Sequence, residues 1–263
     1  MTRKLGIGGL VLLLSACGGG MVQQRSVAGP RPVDPHAARI YLEGVKQLSV
    51  PGRDNAERAL ASFEQALRVD PKLWEAHYNL GVLQQRRGDN RQALAHFEAA
   101  HALEPSAGEP LIGLAQAQHR LGDRQTASDL LDQYVQAHPD ATQVRIALTS
   151  ILRERGRYDD ALTQARAALL RDPANAAALL EVGRIYSQKG EPDVAELVFR
   201  KVLALDPKSA PAHNDLGLLG LARGDTQLAF DEFEKAVAAD ARFTPARMNR
   251  ASVLLHAGDY AAA

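Results

Sequence analysis

Apolar and small residues recur at steps of three and four through most of the chain, as in Leu80, Gly81, Ala93, Phe97 and Ala100, or Val182, Gly183, Tyr186, Ala195, Phe199 and Val202. Such steps fall on one stripe of an α-helix, so the pattern predicts helices with one buried face. Punctuation follows a longer period. Prolines stand at Pro71, Pro105, Pro139, Pro173 and Pro207, each 34 residues after the last, with Ala241 at the next expected place. Gly88, Gly122, Gly156, Gly190, Gly224 and Gly258 keep the same interval, and five residues after each comes Ala93, Ala127, Ala161, Ala195, Ala229 or Ala263. Three independent series at one period define a repeat.

Each repeat reads as helix, tight turn, helix, stop. Glycine supplies the left-handed residue that ends the first helix, and the aspartate of Gly88-Asp89, Gly122-Asp123, Gly224-Asp225 and Gly258-Asp259 is placed to cap the second. Pro192 suits the first turn of a second helix. Asp-Pro at residues 70–71, 172–173 and 206–207 then stops it, because proline lacks a donor and clashes with the preceding turn. The small alanine lets the two backbones approach closely. In the first unit Pro51-Gly52 interrupts the place where a first helix should end, while Ala59, Phe63, Ala66 and Pro71 restore the pattern; a longer loop is expected there.

These positions resemble the tetratricopeptide repeat from about residue 37 onward, through Leu80-Gly81, Gly88, Ala93, Phe97, Ala100 and Pro105 in the clearest unit and similar sets beginning near 108, 142, 176, 210 and 244. The resemblance implies an all-α, right-handed superhelical solenoid of antiparallel helix pairs, with about six repeats and an incomplete seventh over residues 37–263. The family's tryptophan near the start of the first helix is replaced by His77, Leu111, Arg145, Leu179, His213 and Arg247, a loss expected to loosen each hairpin slightly. The last unit stops at Ala263, at the start of its second helix. Either the record is truncated, or a partner or the polar Arg247 and Arg250 manage the exposed end.

The N-terminus reads as an address. Arg3 and Lys4 precede an apolar stretch from Leu5 to Leu14 that is too short to span a bilayer of roughly 30 Å. Leu14-Ser15-Ala16-Cys17 then resembles the bacterial lipobox, which implies cleavage after residue 16 and acylation of Cys17 as the new first residue. Gly18 in place of aspartate favours the outer membrane, facing the periplasm, and residues 17–36, with Gly18-Gly19-Gly20 and Gly29-Pro30, read as a flexible tether.

Composition narrows the chemistry. Lys plus Arg and Asp plus Glu are both 31, and without Arg3 and Lys4 the balance is 29 against 31, which implies neither nucleic acid nor a strongly charged substrate. Cys17 is the only cysteine, so disulfides within the chain and cysteine-based zinc sites are excluded. No two of the eight histidines have the i, i+4 spacing that places a metal between them on one helix, and no cofactor is expected. Arg87-Gly88-Asp89 and Arg223-Gly224-Asp225 spell an adhesion tripeptide, but both fall on the repeat's turn, where glycine and aspartate have structural roles. Nothing matches a nucleophile elbow or a paired-carboxylate site, so an enzyme is not expected.

Binding is therefore sought on the concave wall that the family forms from its first helices. Inward positions at helical spacing give Tyr78, Val82, Gln85 and Arg86, then Ile112, Gln116, His119 and Arg120. Ile146, Ser150 and Arg153 follow, then Leu180, Arg184 and Ser187. Asn214, Leu218, Leu221, Met248, Ser252 and Leu255 complete the wall, which shifts from polar and basic to apolar. A peptide with an acidic end and an apolar end would match it, with Arg153 and Arg184 placed to hold an acidic side chain. The lysines and asparagines of the family's carboxylate-gripping arrangement are not found. The architecture resembles lipoproteins that act as pilotins for secretins or as assembly factors for pili and gliding complexes. An adaptor that gathers cell-wall hydrolases or proteases is the alternative.

Overall fold

The structure, a computed structural model, describes residues 33–50 and 52–257. Residues 1–32, with Cys17 and most of the expected tether, lie outside the described residues, as do Gly258 and Asp259. The described residues form thirteen helices and no strand. The helices divide into two compact units, with the boundary along the chain between Val144 and Arg145.

The first unit holds α1 (Pro35–Ser49), α2 (Arg53–Val69), α3 (Trp74–Arg87), α4 (Asn90–Leu103), α5 (Gly108–Arg120), α6 (Arg124–Ala137) and the first residues of α7 (Thr142–Glu154). The second holds the rest of α7, then α8 (Tyr158–Arg171), α9 (Ala176–Gln188), α10 (Pro192–Leu205), α11 (Ala210–Ala222), α12 (Thr226–Ala239) and α13 (Thr244–Ala257). The expected all-α fold of successive helix pairs is thus what the chain adopts. Four of the described hairpins complete their cores against the next repeat. Tyr41 and Val45 of α1 and Phe63 of α2 close only against Leu73, Ala76, Leu80 and Leu83 of the next repeat, and Phe97 of α4 is covered by Leu114 and Ala117 of α5. Nearest-neighbour burial of this kind makes a solenoid.

Inside each hairpin two positions trade volume. A Cβ on Gly81 would meet the Phe97 ring at 2.7 Å, and one on Gly217 would meet Phe233 at 2.5 Å. Gly44 with Phe63 and Gly183 with Phe199 repeat the arrangement. In the two middle hairpins the same positions hold Ala115 with Leu131 and Thr149 with Ala165, all buried. As one side chain grows its partner shrinks, keeping interior density constant.

Turn chemistry follows the expected plan with two differences. Gly88, Gly122, Gly156, Gly190 and Gly224 all have φ between 73° and 99°, in the left-handed region that favours glycine. The side chains of Asp123 and Asp225 accept hydrogen bonds from the backbone N–H of Thr126 and Leu228, but the Asp89 side chain makes no capping bond. Pro192 opens α10 as expected. In the first hairpin the longer loop is not found. Only residues 50–52 separate α1 from α2, and α2 runs 17 residues against 14 in α4. The extra residues become a further turn of helix, because Ala56 begins the stripe that runs on through Leu60, Phe63 and Leu67, which a loop would leave unburied. The array also begins two residues early, with Asp34 capping α1 through bonds from His36 N at 2.7 Å and Ala37 N at 3.1 Å.

Candidate functional site

The exposed faces of the first helices are the surfaces available to a partner. In the first unit, α3 gives little of itself. Tyr78 and Val82 are buried in the cluster around Phe97, and the Tyr78 and Phe97 ring centroids are 5.8 Å apart. The glycine-lined gap that admits Phe97 brings its ring against Tyr78, which turns an expected groove position into core. Gln85 is buried, whereas Ile112, Gln116 and His119 of α5 are partly exposed and Arg86 and Arg120 are exposed at the helix ends.

The second unit carries a run of polar side chains from one first helix to the next. Arg153 of α7 donates through Nε to Glu181 Oε2 of α9 at 2.9 Å. Arg184 of α9 donates through Nη1 to Glu181 Oε1 at 2.9 Å and through Nε to Asp215 Oδ2 of α11 at 2.6 Å. Asn214 donates to Asp215 Oδ1 at 3.3 Å and accepts from Asn249 Nδ2 of α13 at 2.8 Å. Burial works against the charge on Arg184, but the Asp215 and Glu181 carboxylates outweigh it and hold the guanidinium proton more tightly than usual.

Arg153 and Arg184 were expected to receive a partner's acidic group. Each instead holds a carboxylate of this chain, and the Arg153 and Glu181 side chains are only 9% and 7% exposed. Arg153 also meets Glu154 Oε1 at 3.5 Å, so neither guanidinium is left free for a partner. Glu181, Asp215 and Asn249 were missed by the search for inward positions. Their signal was nevertheless in the sequence, because they are polar residues 34 apart within otherwise apolar helical stripes, in register with Asn79. Asn79 plays the corresponding part in the first unit, donating to the Tyr41 hydroxyl at 3.0 Å.

Beside Asn214 and Asn249 the wall turns apolar. Leu218 and Leu221 of α11 are 43% and 40% exposed, and Met248 and Leu255 of α13 are 66% and 48% exposed. Ile146, Ser150, Leu180 and Ser187 are partly exposed and Ser252 is exposed. Residues 216–222 of α11 contain no polar side chain, so this helix faces the core with Leu216 and Leu219 and leaves Leu218 and Leu221 outside.

A second recurring position bridges the two helices of a hairpin, where the family's tryptophan is absent. His77 of α3 and His96 of α4 bring their Nδ1 atoms to 3.0 Å. Arg145 donates to Gln164 Oε1 at 2.6 Å, and His213 Nδ1 lies 2.7 Å from Glu232 Oε2. The intervening hairpins hold Leu111 with Leu130 and Leu179 with Val198 at these places. The loosening expected from the lost aromatic is therefore countered in three hairpins by a polar bridge. Burial pushes both His77 and His96 below the ordinary histidine range, and the mutual repulsion of their charged forms adds to the effect on His96.

A cavity of about 210 Å³ opens between α10, α11 and α12, floored by Leu203, Leu216, Leu219 and Leu228. Its rim charges are tied to one another, Arg223 to Glu196 and Lys235 to Glu232. Among the described residues no cluster of three or more His, Cys, Asp or Glu is placed to hold a metal, and no helix is long and apolar enough to cross a membrane.

Family models described as tetratricopeptide repeat match residues 147–210, 183–242 and 85–151, and one described as TPR repeat matches residues 54–88. No curated protein matches the sequence. Among solved structures, a tetratricopeptide repeat protein from Parabacteroides merdae ATCC 43184 is 18% identical with a TM-score of 0.73, covering 85% of this chain and 87% of that one. PilW, a widely conserved type IV pilus biogenesis factor, is 17% identical with a TM-score of 0.62, covering 82% of this chain and 98% of its own. Yeast Tom70 is 20% identical with a TM-score of 0.61 and covers 84% of this chain and 47% of its own. At these identities the likeness establishes the fold.

Proposed function

This chain belongs to the tetratricopeptide repeat proteins, a protein-binding architecture, and from that premise we propose that it is a lipid-anchored scaffold of the bacterial envelope that helps a pilus, secretin or motility complex to assemble. The observation that carries the binding half is the exposed apolar face of α11, where Leu218 and Leu221 stand beside the Asn214–Asn249 bond. Monomeric surfaces rarely leave several large apolar side chains together unless a partner covers them. An extended or helical segment with apolar anchors would bury them, its backbone meeting the polar run alongside. Because Arg153 and Arg184 are already neutralised, the partner's contribution is apolar here rather than acidic.

The anchor rests on the lipobox resemblance of Leu14-Ser15-Ala16-Cys17, and the choice of a pilus machine on the likeness to PilW. Two or more acyl chains on Cys17 would give stable attachment where one gives marginal binding. Cys17→Ser should release the domain from washed outer membranes with its helicity unchanged, and retention of the variant would remove the anchor from the proposal. Crosslinking in intact cells should capture secretin or pilus components, and deletion should abolish surface pili and secretin multimers. Altered wall hydrolysis with pili intact would favour an adaptor for hydrolases or proteases.

A further inference from the structure

Two histidines nineteen residues apart in sequence face one another across the α3/α4 hairpin, with Nδ1 atoms 3.0 Å apart and ring centroids at 5.3 Å. The Nε2 atom of His77 lies 3.2 Å from the carbonyl oxygen of Pro71. A carbonyl only accepts, so His77 Nε2 carries the proton, its Nδ1 is left with a lone pair, and His96 donates its Nδ1–H into the gap. A single proton thus joins the two helices.

We propose that His77 and His96 form a binding site for one Zn²⁺ ion, held through both Nδ1 atoms with the His96 proton shifted to its Nε2, which staples α3 to α4. Metal-binding histidines commonly donate their other ring N–H to a backbone carbonyl, which fixes the tautomer and aims the lone pair; Pro71 does this for His77. The rings meet end to end, with centroids 5.3 Å apart across the 3.0 Å gap, whereas two nitrogens bound at roughly 2.0–2.1 Å in tetrahedral geometry stand about 3.4 Å apart, so the pair must open by a few tenths of an ångström and each ring must tilt by roughly 35°. The rings are partly exposed, which leaves the remaining coordination positions to water.

The repeat supplies its own comparison. His213 occupies the place of His77, with Nε2 3.2 Å from the Pro207 carbonyl and Nδ1 2.7 Å from Glu232. There the Lys235 ammonium sits 2.7 Å from the other Glu232 oxygen and already supplies the cation. The α5/α6 hairpin folds with Leu111 and Leu130 at the two positions, so H77L/H96L copies a pair the fold already accommodates.

The test uses the full chain with Cys17→Ser in every sample, so that no thiol competes. Titration with Zn²⁺ by calorimetry should give one bound ion per chain and a rise in Tm, both lost in H77L/H96L and both kept in H213L. With Cu²⁺ as a spectroscopic probe, electron paramagnetic resonance should show nitrogen hyperfine splitting from two imidazoles that falls to one in H96Q. That variant keeps a hydrogen-bond donor opposite His77 and serves should H77L/H96L unfold. Unchanged stoichiometry in either variant, or the absence of any Zn²⁺-dependent change in the parent, would overturn the site.

Discussion

A glycine in the middle of a helix is costly by itself, yet Gly44, Gly81, Gly183 and Gly217 each sit where a side chain would enter the ring of a buried phenylalanine. Gly183→Ala should therefore cost about 1–3 kcal/mol through overpacking, read from urea unfolding. Adding Phe199→Leu recreates the Ala115 with Leu131 combination and should recover most of that loss, so the two changes should couple strongly in a double-mutant cycle. Additive losses would refute the volume exchange. The polar run makes a second demand. Glu181→Leu strips both Arg153 and Arg184 of a buried carboxylate and should cost about 3–5 kcal/mol in the same assay. A cost under about 1 kcal/mol would place the pair among exposed salt bridges instead.

At the level of the helix and its hairpin, most of the plan could be read from the chain, because it is written in local rules. Glycine at positive φ, proline after the stop and alanine at the crossing each act within a turn or two of their own position, so spacing alone reveals them. Hairpin one escaped for the opposite reason. Gly44 meets Phe63 nineteen residues on, whereas Gly81 meets Phe97 after sixteen, and only packing shows that the difference is absorbed as helix. The bridges between paired helices escaped too. His77 with His96 and His213 with Glu232 are partners across a turn, which no search along one helix can find. The second bridge predicts an acid response. Burial raises the Glu232 carboxyl, but hydrogen bonds from Lys235 and His213 outweigh it and the net direction is down from 4.5. A depressed acid contributes stability above its unfolded value and loses it as pH falls through the folded one. The stability difference between the parent and Glu232→Gln should thus be largest above about pH 4.5 and close below it, followed by unfolding at several pH values. A difference independent of pH would refute the assignment.

For the molecule as a scaffold, the candidate wall was only half visible beforehand. Leu218, Leu221, Met248 and Leu255 are exposed, but Arg153 and Arg184 hold carboxylates of this chain. A sequence records which side chains point one way and not which neighbour has already claimed them. Leu218→Asp with Leu221→Asp should keep the helical circular dichroism and lower Tm only modestly, since both side chains are 40% or more exposed, while abolishing capture of the partner in cells. Full capture by this variant would move the binding surface elsewhere.

The 34-residue beat suggests that hairpins are interchangeable beads, and from the second hairpin onward by length they are. The run from Arg153 through Glu181, Arg184, Asp215 and Asn214 to Asn249 makes them not so in the second unit. Each first helix there offers groups that only its present neighbour satisfies, so inserting, deleting or swapping a hairpin would keep the spacing and strand a buried charge. Order along this part of the array is thus encoded chemically, as an address that each repeat carries for the next.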